Sequence, residues 1–161
     1  MQIGIPAEII AGETRVAATP ETVKKFIAAG HSVVIQTGAG IQASVPDADF
    51  SAAGATIVND AASAYASDVI LKVRAPETDE IALIKEGAAV VAMFDPFRNP
   101  NLAAFAARNL QCFALELLPR TLSRAQNMDV LSSQANLAGY KSVLLAANAY
   151  QRLFPMLMTA A

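Results

Sequence analysis

The densest chemistry in this chain lies in one segment, Leu118-Pro119-Arg120-Thr121-Leu122-Ser123-Arg124-Ala125-Gln126-Asn127-Met128-Asp129-Val130-Leu131-Ser132-Ser133-Gln134. It gathers guanidiniums, amides, hydroxyls and a carboxylate in a loop that feeds the N-terminus of a helix. Asp129 is placed as the N-cap, where its carboxylate can accept from free backbone N–H groups, and Ser132 falls in the first turn. A capped helix with a solvated loop accounts for Asp129. It does not account for Arg120, Arg124, Gln126, Ser132 and Ser133 gathering at one end of an otherwise apolar helix. Two further arginines, Arg15 and Arg74, stand at the end of a loop and just past a strand. Such a pair can hold an anion bidentately. It can equally form salt bridges with Glu8, Glu13 or Glu77.

Other motifs carry less. Gly38-Ala39-Gly40-Ile41-Gln42-Ala43 matches the GxGxxA form of a dinucleotide fingerprint and follows a strand. Pro46, however, falls where the phosphate-binding helix should be in its second turn, and proline breaks a helix interior. The expectation is a tight strand-to-helix turn. His31 is the only histidine. It follows a helix-ending glycine and opens a strand, which reads as a structural residue, surface or half-buried. With no second histidine and no clustered cysteine, neither a Ser/His/Asp triad nor a histidine metal site can be built. The single Cys112 excludes an internal disulfide and fits a reducing compartment. Its apolar run, 112–115, predicts a buried structural thiol.

These groups must be positioned by a repeating order of short apolar run, loop and helical segment. Strands are predicted at 2–5, 32–36, 55–58, 68–73, 88–94 and 111–115. The first helix starts at Thr19-Pro20, with Thr as N-cap and Pro at the first helical position, and ends at Gly30. Further helices are predicted at 47–53, 59–66, 78–84 and 100–109. A loop at 116–128 leads into a last helix at about 129–153. Strands alternating with helices predict an α/β fold, a three-layer parallel sheet of Rossmann-like or flavodoxin-like type. The near-continuously apolar strands suit a sheet covered on both faces. Ligands in such folds bind beyond the C-terminal strand ends. That directs attention to the loops at 6–18, 37–46, 74–77, 95–99 and 116–128.

Composition narrows the class. With 54% hydrophobic and 16% charged residues, a chain of 161 must bury much of itself, in its own core or against a partner. A net charge of −2 gives no basic footprint for nucleic acid. The most apolar stretch, 137–161, is interrupted by Lys141, Asn148, Gln151, Arg152 and Pro155, so no membrane insertion by this segment is expected. The N-terminus has no basic region and no cleavage site of a signal peptide.

The opening IGIPAEIIAGETRVAATPETVKKFIAAGHSVVIQTGAG resembles the N-terminal domain shared by alanine dehydrogenases and the alpha subunit of proton-translocating nicotinamide nucleotide transhydrogenases. The resemblance covers essentially the whole chain. SRAQNMDVLSSQANLAGYKSV is similar to the transhydrogenase branch, and FPMLMTAA resembles the segment leading into that subunit's Rossmann domain. The resemblance implies one N-terminal α/β domain over 1–161, similar to formate/glycerate dehydrogenase catalytic domains. It also implies that the last helix leads toward a NAD-binding Rossmann domain beyond Ala161. By the same resemblance Arg120, Gln126, Asp129 and Ser132 contact the nicotinamide end of NAD(H), at a site shared with that domain. NADP(H) would sit on a partner domain. An amide and a hydroxyl suit a carboxamide, and a carboxylate suits ribose hydroxyls. The loop at 119–123 is one residue longer than the family pattern, which bears most on Arg120.

The branch also has a chemical argument. Reductive amination needs an acid/base group. In alanine dehydrogenases of this family a lysine follows the fourth strand and a histidine the fifth. Here those positions hold Arg74 and, at or beside it, Phe94. Arginine cannot exchange a proton near neutral pH. Hydride transfer between two nicotinamides moves no proton between substrates, so positioning suffices. The expected function is that of a transhydrogenase component, in an enzyme that couples hydride transfer between NAD(H) and NADP(H) to proton translocation. The fragment alone is expected to be inactive. Expected partners are the rest of the alpha subunit, an NADP-binding domain, membrane domains or a beta subunit, and a second copy. The expected place is the cytoplasmic side of the bacterial inner membrane. An alanine dehydrogenase-like domain and a non-enzymatic flavodoxin-like module such as a phospho-receiver are the alternatives. The latter fits Pro6-Ala7-Glu8 poorly, since it needs an acidic pair after the first strand.

Overall fold

A computed structural model describes residues 1–152 and 154 of the protein. It contains two compact units, Met1–Leu117 and Leu118–Ala161.

The first unit is built on six strands: β1 (Gln2–Ile5), β2 (Ser32–Gln36), β3 (Thr56–Val58), β4 (Val69–Arg74), β5 (Ala89–Met93) and β6 (Gln111–Ala114). All pairings are parallel and the order is β3-β2-β1-β4-β5-β6. Of the two expected sheet types this is the Rossmann order, with its reversal between β1 and β4. The helices are α1 (Pro20–Ala28), α2 (Asp47–Ala52), α3 (Ala61–Tyr65), α4 (Thr78–Leu83) and α5 (Leu102–Ala107).

Alternate strand residues face opposite sides of a sheet. Ile3, Ile5, Val33 and Ile35 therefore share a core with Val23 of α1 and Phe50 of α2. Ile70, Val90 and Ala92 face the other way, onto Tyr65, Ile81 and Phe105 of α3, α4 and α5. Gly4 lies on that second side, where a Cβ would come within 2.0 Å of the Ala64 carbonyl oxygen. Glycine at this position is what lets α3 approach the first strand.

The local punctuation explains the boundaries. The Thr19 hydroxyl caps α1 by accepting from the Thr22 N–H, Pro20 opens the helix, and Gly30 leaves it at φ +83°. Three expectations are corrected. Arg74 is the last residue of β4 rather than the first beyond it. The segment 116–128 is not one loop: it contains most of a 3-10 turn, Leu115–Leu117, and a single-turn helix α6 (Ser123–Gln126). Cys112 is exposed, not buried. It belongs to β6, an edge strand with a neighbour on one side only, so its apolar run does not place it inside.

The second unit holds α6 and α7 (Val130–Ala149). The expected helix of about 129–153 thus ends sooner, and residue 153 and most of FPMLMTAA lie outside the described residues. No residue of α7 is buried, although Leu137, Tyr140, Val143, Leu144 and Leu145 are exposed large apolar side chains. Successive residues 143–145 project in different directions, so the helix has no single apolar face. Such a helix belongs to the interior of a larger assembly.

Candidate functional site

The reversal between β1 and β4 opens a crevice at the C-terminal strand ends, the place where this sheet type binds ligands. The loop after β1 and the last residue of β4 bring Arg15 and Arg74 together there, through Glu13. Arg15 donates from Nε to Glu13 Oε1 at 2.7 Å and from a terminal nitrogen to Oε2 at 2.6 Å. Arg74 Nε donates to the same Oε2 at 3.1 Å. The Glu13 side chain is only 6% exposed, and hydrogen bonding from Arg15 lowers its carboxyl from 4.5 to about 2. Of the two options the sequence leaves open for the arginines, the structure forms the salt bridges, with Glu13 as the shared anion.

Beside Arg74 is a cleft of about 230 Å³ between the ends of β4 and β5. Arg74, Pro76, Glu77, Phe94, Asp95 and Arg98 line it. Phe94 is buried and meets Phe105 edge-on, with ring centroids 5.4 Å apart. Asp95 adopts φ +47°, its N–H donating to Glu116 Oε1 at 2.5 Å. The only histidine is far from this mouth in the topology. His31 directly precedes β2, at the N-terminal side of the sheet, with its backbone N–H on the Phe26 carbonyl. The cleft therefore offers guanidiniums, carboxylates and an aromatic wall, and no imidazole.

Beneath the mouth is a buried ionic cluster that sequence reasoning misses. Lys72 of β4 is fully buried at its side chain and donates to Glu80 Oε1 at 2.6 Å, with Glu8 Oε2 at 3.6 Å. The Tyr65 hydroxyl also donates to Glu80 Oε1, at 2.5 Å. Burial pushes the tyrosine pKa far upward, reinforced by Glu80. Burial likewise raises the Glu8 carboxyl, against the pull of Lys72. The signal is present in the chain: a lysine amid the apolar run DVILKV must be paired if the strand is central.

The remaining candidate residues lie in the second unit. The Asp129 carboxylate caps α7, accepting from the Leu131 and Ser132 N–H groups at 3.0 Å each. It also accepts from the Ser132 hydroxyl at 2.6 Å, which holds its pKa below the usual carboxylate range. An Arg120 nitrogen lies 4.0 Å from Asp129. Arg120, Asp129 and Ser132 are thus one contact group, while Gln126 is an exposed side chain at the end of α6.

The glycine turn has a different use from a phosphate cradle. The Gly38 N–H donates to the Asp47 carboxylate at 2.9 Å, and the Thr37 hydroxyl donates to it at 2.7 Å. A 3-10 turn, Ile41–Ala43, follows, and α2 opens at Asp47. A Cβ on Gly40 would lie 2.5 Å from the Val45 carbonyl oxygen, so this glycine serves packing of the turn.

Comparison with known proteins adds the lineage. Residues 4–138 match the family model described as alanine dehydrogenase/PNT, N-terminal domain. The chain belongs to this family. Within the alanine dehydrogenase/PNT N-terminal family it is 48% identical, over its whole length, to an NAD(P) transhydrogenase subunit alpha of Rhodospirillum rubrum, covering 44% of that protein. An alanine dehydrogenase of Methanococcus maripaludis is 34% identical over 91% of the chain and 39% of that protein. Among solved structures, a transhydrogenase from Sinorhizobium meliloti aligns with TM-score 0.91 and 47% identity over 99% of this chain and 46% of that one. The chain thus spans less than half the length of these relatives. Among the described residues no helix is long and apolar enough to cross a membrane, and no group of acidic, histidine or cysteine side chains could hold a metal ion.

Proposed function

We propose that this domain forms one wall of a NAD(H) site in a transhydrogenase alpha subunit that passes hydride between NAD(H) and NADP(H). The observation that carries the reading is the mouth of the sheet. Arg74 and buried Phe94 stand where alanine dehydrogenases need a lysine and a histidine, and the only histidine lies at the other end of the strands. A mouth without a proton-exchanging group near neutral pH can position two nicotinamides but cannot run reductive amination. The higher identity to transhydrogenase subunits than to alanine dehydrogenases supports the same branch.

In this reading Arg120, Gln126, Asp129 and Ser132 hold the nicotinamide end and its ribose. Asp129 and Ser132 are already joined by a hydrogen bond, and Gln126 is exposed for a carboxamide. Arg15 and Arg74 are anion contacts at the edge of the cleft, with Glu13 as the competing anion. A following Rossmann domain completes the site, and α7 leads toward it. The exposed apolar surface of α7 supports burial in that larger assembly. Transfer would be coupled to proton translocation through membrane domains, the whole acting as a dimer on the cytoplasmic side of a bacterial inner membrane. By itself the present segment would be inactive.

The test uses the polypeptide as the cell makes it, combined with its NADP-binding partner. Reduction of an NADP analogue by NADH is expected, with no NADH oxidation by pyruvate and ammonia. Turnover with pyruvate and ammonia, and none with the NADP analogue, would move the protein to the alanine dehydrogenase branch.

A further inference from the structure

The cleft wall at 74–77 has every backbone N–H engaged, and the pattern of partners is informative. Glu8 Oε1 accepts from the Val73 N–H at 2.6 Å, and Glu8 Oε2 from the Arg74 N–H at 3.4 Å. The Ala75 N–H donates to the Met93 carbonyl of β5 at 3.0 Å. Residue 76 is a proline and has no donor. The Glu77 N–H donates to Glu80 Oε2 at 2.8 Å. The two ends of the wall are therefore held by two carboxylates, and both carboxylates face the same ammonium, Lys72 Nζ. Pairing between β4 and β5 also shifts register between Leu71 and Arg74, so the regular ladder does not fix this stretch.

Apolar residues of similar volume often replace a buried ion cluster with no loss of stability, so stability alone is a weak reason to keep one. We infer that Lys72 is a positioning residue for the cleft: through Glu8 and Glu80 it fixes both ends of the wall that carries Arg74. It touches no substrate. Its effect is on where the Arg74 guanidinium and the opening of α4 stand. Tyr65 holds Glu80 from α3, so the lysine ties three elements and the β1 loop to one wall.

The inference rests on the proposed function only for its kinetic readout, so two measurements are paired. The first is hydrogen exchange at individual amides in the full polypeptide. In Glu8→Ala, which leaves the Lys72–Glu80 pair intact, exchange at Val73 and Arg74 is expected to quicken about tenfold or more while Glu77 is unchanged. In Lys72→Met/Glu80→Gln, which removes charge in pairs, all three amides should quicken while β1 amides keep their protection. The second is hydride transfer to an NADP analogue, where displacement of the wall should lower kcat by up to about a hundredfold and leave the KM for NADH nearly unchanged. Unchanged exchange at Arg74 and Glu77 in the double variant, or quickening spread evenly over the whole sheet, overturns the positioning role. Wild-type protein that transfers no hydride overturns the proposed function instead, and leaves the exchange result to decide the inference.

Discussion

The chain sets a carboxylate among donors in two regions, and the regions differ in their access to water. In the first unit Glu8 and Glu80 face Lys72 with all three side chains nearly or fully buried. In the second unit Asp129 accepts from Ser132 and two backbone N–H groups, and its neighbour Arg120 is more than half exposed. Charge buried in a protein interior is costly to leave unpaired. Exposed charge can lose a partner to water cheaply. The first region is therefore committed to the fold, whereas the second can exchange its partners for a ligand. Proximity to a mouth does not by itself make a residue a binding residue.

The largest break in this comparison should come from Lys72→Met. It leaves two buried carboxylates facing an apolar chain, and a loss of about 3–5 kcal/mol is expected. Urea denaturation followed by circular dichroism measures it. A loss below about 1 kcal/mol would mean that water reaches the cluster and that the two regions are electrostatically alike.

The second break runs the other way. Asp129→Ala and Ser132→Ala should leave the β-sheet unit unfolding as before, because both residues are outside it. Under the proposed function they should lower hydride transfer about ten- to a hundredfold, the loss expected for hydrogen bonds to a bound cofactor. Steady-state kinetics beside a thermal melt reads both. Loss of sheet stability with unchanged transfer would place these residues in the fold and take them out of the site.

The same division explains what can be read from the chain. Strands β1 and β2 fall where expected, because Gly, Pro and Thr punctuate their ends and their apolar runs are unbroken. The Asp129 cap is legible for the same local reason. Helices α3 and α5 are shorter than their patterns suggest, since alanine-rich flanks continue a helical composition past the last packed turn. Pattern misplaces Cys112 because a run of apolar residues cannot tell a central strand from an edge. The Lys72 cluster is illegible for a different reason. Its partners at 8, 65 and 80 sit on three other elements, and only the strand order brings them together. The meeting of Arg15 and Arg74 is visible in the sequence as a possibility, but its shared partner Glu13 depends on loop geometry.

The smallest expected effect is also the sharpest, because it divides one loop. Glu13 and Glu8 are five residues apart and titrate in opposite senses. Arg15 holds the Glu13 carboxyl down, from 4.5 to about 2, so the ionised form favours the folded state. Its contribution is complete above the unfolded value of 4.5 and is lost as pH falls toward 2. Burial raises the Glu8 carboxyl above 4.5, so protonation favours the folded state there. Its contribution is present below 4.5 and is lost as pH rises through the folded value. Glu13→Gln should therefore flatten the acid limb of stability, losing less than the parent between about pH 5 and pH 3. Glu8→Gln should leave that limb as steep and flatten the region above it. Thermal melts of the three proteins across this range separate the outcomes. Parallel acid limbs in parent and Glu13→Gln would mean that Arg15 and Arg74 hold Glu13 no more strongly than water does, and the paired arginines would then be free to take an external anion.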